Sequence, residues 1–280
     1  MKGFVLLLVF AAVALNAASQ GTEKTTFEVA SVKPNNGSTA GGYIRPSGGR
    51  FTASNITLKN LILYAYSAQD DFFLEQQVIG GPDWMDKDRF DVDAKAEDTG
   101  QAVTREQMSK MIQSLLEDRF RLNVHRGTRE MQVYEMVVER GGIKMKPSAD
   151  QNNTSSTDSS APPRGTALLN AESSASGLRF VFSGNAVSMA KLASALHGMV
   201  QRPIIDKTNL KGLYDFRIRF SPEAIPSHPD QIPTQDGLPA TPSDHPLLPI
   251  LQEELGLKLQ AGKAPVEVLI IDHAEKPQPN

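Results

Sequence analysis

The stretch LLEDRFRLNVHRGTREMQVYEMVV (115–138) aligns without a gap against ILQEELGLKLQAGKAPVEVLIIDH (250–273). Leu116 meets Leu251, Leu122 meets Leu257, Gly127 meets Gly262 and Val133 meets Val268. Each copy reads as the end of a helix, a strand, a glycine-containing hairpin turn and a last strand.

Working outward, the likeness continues upstream. ITLKNLILYAY (56–66) and VSMAKLASALH (187–197) each carry apolar residues at i, i+3, i+4 and i+7. These are Leu58, Leu61, Ile62 and Ala65 in one, and Met189, Leu192, Ala193 and Leu196 in the other. That spacing lays one buried stripe on each helix. Thr57 and Ser188 stand where a hydroxyl can accept from a free helix N–H. An apolar pair follows each helix, Val78–Ile79 and Ile204–Ile205, and then an alternating segment, RFDVDAKA (89–96) and YDFRIRF (214–220). Alternation with period two predicts half-buried strands. A second helix comes next. In the first half Thr104 and Gln107 have capping-box spacing ahead of Met108, Met111, Ile112, Leu115 and Leu116. In the second half Pro246 precedes Leu247, Leu248, Leu251 and Leu255.

The reading is an α+β protein of two tandem, diverged β-α-β-α-β-β modules, each a small, mainly antiparallel sheet packed by two helices. The first module spans 27–146 and the second 177–276. Between them, 147–176 is rich in Ser, Thr, Asn and Pro, a composition too polar to offset its ordering entropy, and is expected as a disordered linker. The second module carries a long Pro-rich loop over 222–246, expected to be exposed.

At the N-terminus Lys2 precedes an unbroken apolar run over 4–15, followed by Ala17, Ala18 and Ser19. That order is a signal peptide, 1–19, cleaved after residue 17, 18 or 19. The run is too short to cross a bilayer of ~30 Å, and no later stretch reaches the ~18 apolar residues of a membrane helix. The expected location is periplasmic or extracellular. The chain of 280 residues has no cysteine, which removes disulfides, thiol nucleophiles and thiolate metal sites. A net charge of -3 and 6% aromatic residues exclude the usual signatures of a nucleic-acid binder.

No catalytic constellation emerges. None of the five histidines forms an i, i+4 pair. His228 and His245 fall in the Pro-rich loop near Asp230, Asp236 and Asp244, where solvated side chains are the ordinary outcome; no metal or cofactor is expected. His125 and His273 read as partly exposed strand residues. Ser183, in FSGNA, is placed in a turn and lacks the nucleophile-elbow pattern. Glu117–Asp118 and Glu253–Glu254 fall opposite the helix stripes, as solvated faces do. GGPDWMDKDRF (80–90) is the one candidate binding patch: a turn presenting the only tryptophan, Trp84, beside Asp83 and Arg89. A core-capping role for Trp84 is the competing reading.

FEVASVKPN (27–35), GGPDWMDKDRFDVDAKA (80–96), 115–138, RPIIDKTNLKGLYDF (202–216) and PVEVLIIDHAEKP (265–277) together resemble a family of exported soil-bacterial proteins catalogued as a domain of unknown function. The resemblance implies an extracytoplasmic location and assigns no site residues. LASALHGMVQRPIID (192–206) and LQEELGLKLQ (251–260) are also similar in pattern to the short N-terminal domain of secretins and TonB-dependent receptors, which implies an envelope interaction module. The functional expectation is a non-enzymatic binding module whose partner is an envelope protein or cell-wall component, through an exposed sheet edge or the Trp84 loops. The alternatives are a hydrolase or carbohydrate-active protein with a carboxylate site between the modules, and a sensor-associated ligand-binding module.

Overall fold

The structure, a computed structural model, describes residues 25–37, 41–67, 73–151, 162–174, 177–224 and 245–278. The expected signal peptide and the part of the Pro-rich loop that holds His228, Asp230, Asp236 and Asp244 lie outside these residues.

Among the described residues both halves have mixed α/β content, in mostly antiparallel sheets with two α-helices each. The first runs β1 (Val29–Asn35), β2 (Tyr43–Ser47), β3 (Arg50–Thr57), α1 (Leu58–Tyr66), β4 (Val78–Gly80), β5 (Arg89–Lys95), α2 (Arg105–Phe120) and β6 (Asn123–Val138). The second runs β7 (Lys146–Pro147), β8 (Thr166–Ser174), β9 (Gly177–Val187), α3 (Met189–Val200), β10 (Ile204–Asp206), β11 (Tyr214–Phe220), α4 (Leu247–Ile250) and β12 (Leu257–His273). α4 continues through a π-helical turn over Leu251–Leu255.

The helix starts follow from their caps. Thr57 and Ser188 accept from the N–H of Asn60 and Lys191, and Thr104 with Gln107 forms the reciprocal capping box. The helix stripes read from the sequence are all buried. So are Phe90, Val92 and Ala94 of β5, and Tyr214, Phe216, Ile218 and Phe220 of β11.

Three four-stranded sheets result. The first-half sheet has the order β1-β5-β3-β2 and the second-half sheet β7-β11-β9-β8. The third, shared sheet has the order β10-β6-β12-β4. The expected hairpins at Gly127 and Gly262 do not form. Instead β6 and β12 each run unbroken through these glycines and pair antiparallel with one another, from Leu257 opposite Val138 to His273 opposite Asn123. A hairpin would satisfy each strand locally, but the long ladder satisfies both strands along their full length. Glu130 lies opposite Pro265, the residue it matches in the gap-free alignment.

The two cores therefore exchange material. Leu269 and Ile271 of β12 complete the first core, and Tyr134 and Met136 of β6 enter the second. The expectation of self-contained modules is corrected accordingly.

Of the expected linker, 152–161 and 175–176 lie outside the described residues, and much of the described part forms strands. Lys146–Pro147 pairs with β11, and Thr166–Ser174 pairs with β9 along its length. Leu168 and Leu169 are each 40% exposed, so the backbone ladder rather than side-chain burial holds β8 in place. A strand whose leucines are exposed on both faces leaves no buried stripe to read.

Candidate functional site

The Trp84 patch is largely structural. Trp84 sits in a 3-10 turn over Asp83–Asp86, stacks on Phe120 at 6.4 Å and meets Phe90 edge-on at 6.2 Å. It is half-buried, with Lys276 5.9 Å from the ring centroid. The Asp83 side chain is 96% exposed, 3.8 Å from Lys87. Arg89 turns away and donates from Nη1 to the Asn55 carbonyl at 2.9 Å. The three do not converge on one point.

The histidines separate in the same way. His125 Nδ1 is 2.8 Å from Asp272 Oδ2 on an open surface, while His273 contacts Glu275, so Asp272 and His273 do not act as a pair. His245 corrects the reading of a solvated loop residue. It is 3% exposed, and its Nδ1 accepts the Leu247 N–H at the start of α4. Burial first, opposed by a backbone group of Met199 and reinforced by Arg202, lowers its pKa. Ser183 lies buried within β9, not in a turn. No cluster of three or more metal-ligating side chains occurs among the described residues.

Two of the concave features among the described residues involve the second half. A groove of about 420 Å³ touches both halves, between α3 and the 3-10 turn before β4. His197 Nε2 reaches Gln77 Oε1 at 3.1 Å in it, and Gln77 donates onward to the Glu267 carbonyl. An acceptor facing Nε2 requires that nitrogen to carry the proton of a neutral ring. Burial holds the His197 pKa down at about 4, consistent with that form. The groove's two carboxylates are engaged: Asp206 with Thr208, and Glu267 with Arg126.

The larger feature is a cleft of about 670 Å³ beside β11. Its construction starts with a matched pair of bulges. In the first-half sheet the pairing of β3 with β5 slips between Ala53 and Ile56; in the second, β9 against β11 slips between Gly184 and Val187. At each slip one residue has positive φ, Asn55 at 56° and Ala186 at 50°. Its N–H is taken by an aspartate of the neighbouring strand: Asp91 Oδ1 at 2.9 Å and Asp215 Oδ1 at 2.7 Å. Asp91 also accepts from Asn35 and Ser54. Burial pushes the Asp91 carboxyl up, but these hydrogen bonds outweigh it and hold the pKa below its ordinary value.

The bulges put β5 and β11 in equivalent positions, and their outer edges then differ. β1 pairs with β5 over its whole length, from Asn35 opposite Arg89 to Val29 opposite Lys95. β7 pairs with β11 only at Tyr214 and Asp215. The Lys33-Pro34 dipeptide opposite Asp91 and Phe90 recurs as Lys146-Pro147 opposite Asp215 and Tyr214. That recurrence was the missed signal for β7. Upstream of Lys146 the chain leaves the sheet, because the Lys144 N–H is bound to the Leu255 carbonyl and the Glu139 N–H to the Gly256 carbonyl. The cleft opens between this departing segment and β11. Met145, Phe216, Ile218 and Leu255 supply its apolar lining, and on its rim Lys144, Lys146 and Arg217 outnumber Asp215 and Glu254.

The Ser148 N–H donates to the Leu213 carbonyl on the β7 side, and strand alternation turns the backbone groups of Asp215, Arg217 and Arg219 to that side too. Among the described residues no strand pairs with Phe216–Phe220 there.

Among the described residues, fold and site thus define a mixed α/β protein of mostly antiparallel sheets, in which β11 is paired on its outer side at only two residues, beside a cleft. It belongs to the family described as protein of unknown function DUF3738, whose model matches residues 14–274. No curated protein matches the chain. No solved structure matches it either. No helix among the described residues is long and apolar enough to cross a membrane.

Proposed function

We propose that this chain is an exported, non-enzymatic interaction module, periplasmic or extracellular, that seats an extended segment of a partner on the outer edge of β11. The observation that carries the reading is the contrast between two equivalent edges, one filled by β1 along seven residues and the other paired at two. Unpaired strand edges are templates for strand addition, and proteins that do not use them normally block them.

The reading includes descent from one duplicated unit. Its support is the matching strand order in the two outer sheets, the paired bulges at Asn55 and Ala186, and the register that sets Glu130 against Pro265. Export is supported by Lys2, the apolar run over 4–15 and the small residues Ala17, Ala18 and Ser19. The similarity of 192–206 and 251–260 to envelope modules points the same way.

Arg217→Pro tests the reading. Proline there removes an N–H that faces the open edge and leaves the β9 ladder intact. A partner cross-linked to the wild-type exported chain should be lost from a variant whose circular dichroism is unchanged. Equal cross-linking would overturn the edge as the docking site. N-terminal sequencing of the exported protein should begin after residue 17, 18 or 19; retention of Met1 would overturn export by cleavage.

A further inference from the structure

Resting on that interaction-module reading, we infer that the occupant of the β11 edge is an acidic, alternately apolar extended segment of a different protein, added antiparallel to Phe216–Phe220. The first-half sheet shows what such a seat accepts. There β1 runs antiparallel to β5, with buried Val32 opposite buried Val92 and with Ser31 and Lys33 turned the other way, opposite Asp93 and Asp91. The bulge register makes Phe216 the equivalent of Val92, so the residues flanking it in an incoming strand would alternate between the apolar cleft and solvent.

Charge selects the solvent-facing residues. Arg217 and Arg219 stand outward on β11, and both lean on a single carboxylate, Glu172 of β8, at 2.8 and 3.5 Å. Arg179 lies opposite that same Glu172, and Lys144 and Lys146 line the near rim of the cleft. Two acids, Asp215 and Glu254, share this lining with the cations; Asp215 is already held by the Ala186 N–H, and Lys144, Lys146 and Arg217 outnumber the pair. A chain of net charge -3 therefore presents a locally cationic strand edge.

This charge also argues against a second copy as occupant. Two β11 edges pairing antiparallel about Ile218 would set Arg217 of one against Arg219 of the other, and like charges directly opposite are destabilising. An acidic strand would instead place a carboxylate opposite each arginine, with the arginines as its cross-strand partners.

The test uses the full chain with three seven-residue synthetic peptides. One alternates Glu with Val; a second alternates Lys with Val; a third is the Glu–Val peptide with alternate backbone nitrogens methylated so that it cannot pair. The Glu–Val peptide should bind, with amide shift changes confined to β7 and β11. The Lys–Val peptide should bind at least about tenfold more weakly, and so should the Glu–Val peptide to Arg217→Glu/Arg219→Glu. The methylated peptide should not bind. Equal binding of the Glu and Lys peptides would overturn the acidic specificity and leave the docking edge standing. Equal binding of the methylated peptide, or shift changes away from β11, would overturn strand addition and the proposed site with it. A dimer in sedimentation that Arg217→Pro dissolves would overturn the different-protein occupant.

Discussion

β5 and β11 occupy the same place in their sheets, carry the same inward alternation and are bent by the same kind of bulge. One is sealed by a seven-residue strand and the other by two residues. The strands themselves do not make the difference. Residues 139–144 are tethered to the end of α4 through the Leu255 and Gly256 carbonyls, and that tether pulls the incoming chain off the sheet before it can seal β11. Gly256 records the tether. Its φ is 69°, and a Cβ there would meet the Gly142 carbonyl oxygen at 2.2 Å. At the matching helix end Arg121 holds a similar left-handed conformation, φ 49°, with a full side chain. A connection, not an element, separates the two halves.

The comparison can be broken most severely by separating the halves. Residues 25–138 expressed alone should fail to give a cooperative monomer, because β4 loses its parallel partner β12 and the first core loses Leu269 and Ile271. A sharp, reversible thermal transition from that fragment as a monomer would show that the shared sheet is dispensable.

Within the whole chain, Phe120→Ala and its counterpart Leu255→Ala should each cost about 2–5 kcal/mol, since both side chains are essentially inaccessible and leave cavities. Both variants should unfold in one denaturant transition followed by any probe. Two separated transitions would contradict the exchange of core residues.

The next effect is on pH dependence. Tyr66 and His197 stand at matching places on α1 and α3, counted from Thr57 and Ser188. Burial first, then Glu117, raises Tyr66 to about 12, while burial lowers His197 to about 4. Each is favoured neutral in the folded chain. For His197 the unfolded chain binds the extra proton as pH falls from 6.5 toward 4, so stability drops across that window. For Tyr66 the unfolded chain releases its proton first as pH rises from 10 toward 12, so stability drops there instead. Each limb should amount to at most about 3 kcal/mol. His197→Leu should flatten the acid limb and Tyr66→Phe the alkaline one; denaturation midpoints across pH measure both.

Gly256→Ala should destabilise by about 1–3 kcal/mol through strain and the clash with Gly142, whereas Arg121→Gly should stay within about 1 kcal/mol of wild type. Equal effects at the two helix ends would dissolve the tether argument. The smallest effect leaves stability untouched. The N–H groups of Arg217 and Arg219 should exchange with solvent faster than those of Asp93 and Lys95, by on the order of a hundredfold or more, because only the latter face a paired strand. Equal protection would mean that the β11 edge is covered.

Much of this was legible in the residues. Every helix stripe and the caps at Thr57, Thr104 and Ser188 lie where the 3.6-residue spacing and hydroxyl positions put them. The strand alternation of β5 and β11 also held. What failed were the pieces held by distant backbone. Gly127 and Gly262 suggest turns only if each strand must find a local partner, and both found one elsewhere. β8 shows no buried stripe because its leucines are exposed on both faces, and the ladder with β9 holds it instead. The cleft was illegible because it depends on where residues 139–144 leave the sheet; the repeated Lys-Pro pair was its single trace.

By itself the chain determined its local elements, since side-chain periodicity and capping act within a few residues along the backbone. Only the tertiary structure decided which strand pairs with which, and so which edge stays open. Backbone hydrogen bonds are the same at every residue, and their partners are chosen by how the elements come to rest against one another.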